Sequence, residues 1–211
     1  MNINDKSFFY EDTVSVIAES ILGLMSHSVK SFETHERWDY NIPIADDLEG
    51  MLYFNWRMAV HRVEGLKAKY DLQGYAGRDC FDEPSIDINI ILPKGVHQKK
   101  VKIDRCDLFE VVAHEIHHLA QNIENNAFSR NRALSARMSY FLDPCEIEAF
   151  HIGVRASSSV SGRSFEETAR KYLNAVYPAA SNEELNLIVH TWKNTKFELF
   201  QSNLSRNDVN Y

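Results

Sequence analysis

The sequence predicts an α+β fold, rich in helix with one small sheet, folded as a single domain. Three observations carry that prediction. Most segments of the 211-residue chain repeat their apolar positions at three- and four-residue intervals, the period of an amphipathic helix. One stretch, Ser85–Leu92, switches to alternation, the period of a strand with one wet face. No internal repeat, low-complexity tract or Pro/Ser-rich hinge divides the chain. Within the single unit we expect an N-terminal helical layer over 1–78, a core over 79–175 and a C-terminal helical segment over 176–211.

Asp12 to Ser31 places Val14, Ile17, Ile21, Leu24 and Val29 on one helical face. Asn41-Ile42-Pro43 breaks the pattern, and a second helix is expected from about Asp46 to Tyr70, with Leu48, Leu52, Trp56, Ala59, Val63 and Leu66 on one side. Gly74, Gly77 and Pro84 then mark a loop. In the strand that follows, Ile86, Ile88 and Ile90 face one way and Asp87 and Asn89 the other, with Pro93-Lys94-Gly95 as the stop. Val101–Ile103 is a candidate second strand. Asp107 and Glu110 have the spacing of a capping box for a helix running to about Glu124. Asp143-Pro144-Cys145-Glu146 combines an N-cap acid with Pro at the first helical position. Ser164–Glu167 and Ser181–Glu184 are two further capping boxes, and Ser157–Gly162 reads as a loop before them.

Composition narrows the function classes. Twenty-three basic against 30 acidic residues give a net charge of −7, which argues against nucleic acid held by bulk charge. No apolar run approaches the ~20 residues of a membrane span, and the N-terminus lacks the features of a signal peptide. A cytoplasmic protein, with no nucleic-acid or membrane partner, is the expectation. Cys80, Cys106 and Cys145 make an odd count without paired spacing, so a disulfide framework is not expected.

The chemistry lies in His114-Glu115-Ile116-His117-His118. Side chains four apart on a helix stand one turn above each other, so His114 and His118 present two imidazoles to one ion. Glu115, ~100° round the helix, reaches a water at that ion without ligating it. Leu108, Val112, Ile116, Leu119 and Ile123 cluster roughly 160° away and give the same helix a core face. Such a His-Glu-x-x-His pattern is expected by chance only about 0.03 times in a chain of this composition. His117, ~60° off the ligand face, is expected at the surface or behind the site.

Catalytic zinc takes three protein ligands and leaves a fourth position open. Two downstream carboxylates compete for the third place. Glu146 sits in the first turn after the Asp143 cap, where free backbone N–H groups offer it a structural role. Glu148 lies past that turn and is followed by Ala149, small enough for close approach to the metal helix. Glu148 is therefore the expected ligand, with Glu146 as the alternative.

On Ala113–His118 and, after 29 intervening residues, Glu148-Ala149, the chain resembles the gluzincin branch of zinc metallopeptidases. Tyr140–Phe150 also looks like the Tyr-x-x-x-Pro-x-Glu-x-Glu-Ala pattern of small phage and bacterial metallopeptidase-like proteins. The resemblance spans roughly Ser85 to Tyr172. It implies a zincin-like fold, with His114, His118 and Glu148 binding Zn²⁺. Zinc there acidifies a water and polarises a carbonyl, while Glu115 takes the proton and returns it to the leaving amine. A peptide or protein substrate would pair with the edge strand, taken as Ser85–Leu92. Such enzymes add a His, Tyr or Arg for the oxyanion; His151 is the leading candidate, ahead of His190 and Tyr140. Thermolysin-like enzymes place an Asp four residues after the ligand Glu, and here Ile152 stands there. The alternative from another class is a zinc-binding structural or interaction protein, for example a phage component, that keeps the fold without turnover.

Overall fold

Strands are built where alternate residues find a core, and here they form one mixed sheet packed under helices. The computed structural model describes residues 6–26, 36–38, 54–79, 82–125 and 137–195. In order these give α1 (Lys6–Ser26), β1 (Glu36–Trp38), β2 (Asn55–Val63), β3 (Asp71–Arg78), β4 (Pro84–Pro93), a 3-10 turn (Gln98–Lys100), α2 (Arg105–Asn125), α3 (Arg137–Phe141), α4 (Pro144–Ser161), α5 (Phe165–Val176) and α6 (Asn182–Lys193). The strand order is β1-β2-β4-β3, with β2 and β4 parallel and the other pairs antiparallel. The α+β class expected from the sequence is what the structure has. None of the described helices is long and apolar enough to cross a membrane.

Two cores form. In the first, Trp56 and Met58 of β2 and Ile86, Ile88 and Ile90 of β4 make an inward row against Ile17 and Ile21 of α1 and Leu108, Val112 and Ile116 of α2. In the second, Phe141, Phe150, Val154, Leu173, Ile188 and Trp192 join α3, α4, α5 and α6. The α2–α4 pair connects the two.

Several elements differ from the sequence expectation, each for a physical reason. The expected helix over Asp46–Tyr70 is replaced, in its described part, by β2; residues 46–53, Asn41–Pro43 and Val29 lie outside the described residues. Trp56, Ala59 and Val63 fit a helical period, but Trp56, Met58 and Val60 fit a strand equally well. Pairing with β4 (Trp56 opposite Ile86, Met58 opposite Ile88) decides between them. The expected loop at Gly74 and Gly77 is strand β3, so the segment 1–78 contains sheet as well as helix. Val101–Ile103 is not a strand, and the cap of α2 is Asp104 rather than Asp107: the Cys106 N–H donates to Asp104 Oδ1 at 3.0 Å. Ser157–Ser161 continues α4 as far as the left-handed C-cap Gly162, with Ser158 Oγ and Ser159 Oγ donating back to the carbonyls of Val154 and Ala156. The Asp143 cap and both Ser–Glu capping boxes form as expected.

Two glycines set how closely α2 is gripped. A Cβ at Gly74 of β3 would lie 2.3 Å from Glu115 Cγ, and one at Gly153 of α4 would lie 2.8 Å from the Glu110 carbonyl oxygen. The missing side chains admit α2 between strand and helix at the level of the His-Glu-x-x-His turn.

Candidate metal centre

The helical pitch of α2 stacks His114 and His118 on one face, with ring centroids 4.5 Å apart. Opposite them stands the first turn of α4, started by the Asp143 cap and Pro144. Glu146 Oε2 lies 3.4 Å from His114 Nε2 and 3.2 Å from His118 Nε2. One ligand atom from each of His114, His118 and Glu146 falls within 4.8 Å of the others, and all three residues are buried.

The structure therefore brings Glu146, not Glu148, to the histidine pair. The role expected for Glu146 on free N–H groups goes to Asp143, whose Oδ1 accepts from the Cys145 N–H at 3.0 Å. Glu148 turns instead to His117, with Oε2 3.4 Å from His117 Nε2, and accepts from Gln121 Nε2 at 3.0 Å. His117 is buried, not superficial.

The electrostatics suit a cation. Burial pushes the His114 imidazole down to about 4, against the pull of Glu146, so it is neutral at ordinary pH, the form that ligates a metal. Burial pushes Glu146 up, but its bonds with His114 and His118 outweigh that and hold it well below the usual carboxylate range. Two imidazole nitrogens and one carboxylate oxygen converging on a buried point form a donor set that fits zinc. Glu115 is buried in the slot beneath Gly74, next along the helix from His114.

His151 does not join the group. Its Nδ1 donates to the Trp192 carbonyl at 2.6 Å, and its ring lies 5.2 Å from that of Phe165, in the second core. His190 is exposed on α6, and Tyr140 packs against Phe141 and Phe150. With Glu146 in the ligand position, the residue four further on is Phe150, whose ring lies 4.6 Å from that of His114.

Three residues escaped the sequence argument. Gln121 lies three places after His118, and its Oε1 is 2.8 Å from His118 Nδ1. Glu110, one turn before His114, is buried with Oε1 lacking a hydrogen-bond partner among the described residues. Burial, with Asp107 nearby, raises its carboxyl to about 8 against the pull of Lys171. Tyr172 is kept protonated by burial and by the fields of Glu110, Tyr140, Glu146 and Glu115. The i, i+4 spacing of Glu110 to His114 and the i, i+3 spacing of His118 to Gln121 were available signals. Tyr172 had none, because only the fold carries α5 to this place.

Comparison with protein-family models, with curated proteins and with solved structures found no match to the chain.

Proposed function

We propose that the protein is a zinc-dependent metallopeptidase in which His114, His118 and Glu146 hold Zn²⁺ and Glu115 is the general base. One observation carries the reading: two histidines four apart on α2 converge with a buried carboxylate of α4, with a glutamate adjoining them. A purely structural zinc site has no use for that adjoining carboxylate. Zinc bound there would acidify a water and polarise a carbonyl.

The remaining steps belong to the chain. His114 and His118 offer Nε2 lone pairs and Glu146 an anionic oxygen. Glu115 accepts the proton as water attacks and delivers it to the departing amine. Among the described strands β3 is an edge and β4 is central, so extended substrate would pair with β3 rather than with Ser85–Leu92. Main-chain pairing reads little sequence, which suits a peptide or protein substrate.

Metal content and peptide hydrolysis test the reading together. The wild type should carry about one zinc per chain; Glu146→Ala should lose it, and Glu148→Ala should keep most of it. Glu115→Gln should keep the metal and lose hydrolysis of a peptide library. A Glu115→Gln protein as active as wild type would sink the peptidase. Zinc uptake with no hydrolysis by either protein would favour the structural-zinc alternative.

A further inference from the structure

Behind the candidate ligands runs a chain of side chains on the same two helices: His117, Glu148, Gln121 and His118. Gln121 is 4 % exposed and lies at the centre of it. Its Nε2 lies 3.0 Å from the Cys145 carbonyl oxygen and 3.0 Å from Glu148 Oε2. Its Oε1 lies 2.8 Å from His118 Nδ1.

We propose that Gln121 is a positioning residue that fixes the ring tautomer of His118, with Nδ1 protonated and Nε2 turned as a lone pair toward Glu146. The inference deepens the zinc reading and takes its purpose from it, while the hydrogen on Nδ1 follows from the Gln121 contacts alone. The Cys145 carbonyl only accepts hydrogen bonds. Glu148 Oε2 accepts from the same amide nitrogen. Two acceptors therefore require the NH₂ end of the amide, because the reverse orientation would set the amide oxygen against both. The amide oxygen is left facing His118 Nδ1, and an amide oxygen only accepts, so Nδ1 carries the hydrogen.

In the neutral form of the ring, which has one N–H, that leaves Nε2 as the lone pair a metal would take. It faces Glu146 Oε2 at 3.2 Å, and the same oxygen lies 3.4 Å from His114 Nε2. Acceptors turned toward one another in a buried site are reconciled by a cation between them, or by an added proton. Gln121 thus does for His118 what a carboxylate or carbonyl does behind many metal-bound histidines. Glu148 acts two bonds further back: by accepting from Gln121 it selects the amide orientation, and His117 at 3.4 Å holds Glu148 in place.

Nitrogen-15 NMR of the metal-free wild type at mildly alkaline pH reads the tautomer directly. We expect His118 as the Nδ1–H form; an Nε2–H form overturns the proposal. Titration with Zn²⁺ against a competing chelator supplies a second readout. Gln121→Leu, which removes the acceptor, should lower zinc affinity about 10–100-fold, and Gln121→Glu, which keeps an acceptor on Nδ1, should lose less. Equal losses in the two variants, or undiminished affinity in Gln121→Leu, also overturn it. A wild type that takes up no zinc yet shows the Nδ1–H form sinks the zinc reading and leaves the tautomer assignment standing.

Discussion

The two sides of the candidate metal centre are made of different material. On the sheet side the core is mostly aliphatic: Ile, Val and Leu of the sheet, α1 and α2, with Phe54, Trp56 and Phe109 among them. On the helical side it is aromatic: Phe150 and Trp192 stack at 4.5 Å and 14°, with Phe141 and Tyr172 around them. A sheet positions its partner by register, since a slip of one residue turns every side chain to the other face. The aromatic side positions α4 by ring packing, tied by the Trp192 indole donating to the Phe141 carbonyl at 2.8 Å. The histidines belong to the first side and Glu146 to the second. The centre is therefore closed only when both cores are docked, and its geometry is a property of their junction.

The largest expected effect comes from breaking one side alone. Trp192→Ala should cost ~3–5 kcal/mol, measured by urea denaturation, and zinc capacity should fall with it because Glu146 loses its support. An unchanged zinc affinity in a folded variant would show that α4 is held without the aromatic core.

Next is the grip of the sheet side on α2. Gly74→Ala inserts a methyl where Glu115 Cγ lies 2.3 Å away, so overpacking of ~1–3 kcal/mol is expected. Hydrolysis should fall well beyond that while zinc content holds, since the displaced group is Glu115 and not a ligand. Parallel loss of zinc and activity would mean that the whole helix moves.

A pH test separates the junction from both cores. The Glu110 carboxyl is raised to about 8, far above its unfolded value of ~4.3. Its contribution to stability is fully present below the unfolded value and is lost as pH rises toward the folded one. Glu110→Gln should remove that loss. Thermal melts of the metal-free proteins should therefore favour the variant more at about pH 8 than at about pH 5; an equal difference at both would contradict a buried, proton-holding Glu110.

The smallest effect is local. Ser164→Ala deletes one half of the α5 capping box and should cost ~1 kcal/mol with no change in zinc affinity.

What could be read from sequence was local. The caps of α4, α5 and α6, the alternation of β4 and the i, i+4 histidines each depend on neighbours a few residues away, and each was legible. The strand β2 was not, because its residues satisfy two periods and only β4 chooses. Nor was β3, where Gly74 resembles a turn residue until Glu115 is placed against it. Choosing Glu146 over Glu148 was likewise beyond reach. Both sit in the opening turns of α4, and the choice depends on how that helix docks on α2. The glutamate expected to ligate stands behind the site, and the one assigned to capping faces the histidines.

The strand order also governs when the parts can come together. β4 lies between β2 and β3, so β2 has no partner on that side until residues thirty positions on are made, as Asn55 opposite Ser85 illustrates. The β3–β4 hairpin can close early across its short turn, but the parallel pairing must wait for a distant segment, a slow kind of encounter. On a ribosome the exposed β2 edge therefore persists until β4 emerges, and the helical side waits longer still, for α6, whose Trp192 donates to Phe141 in α3.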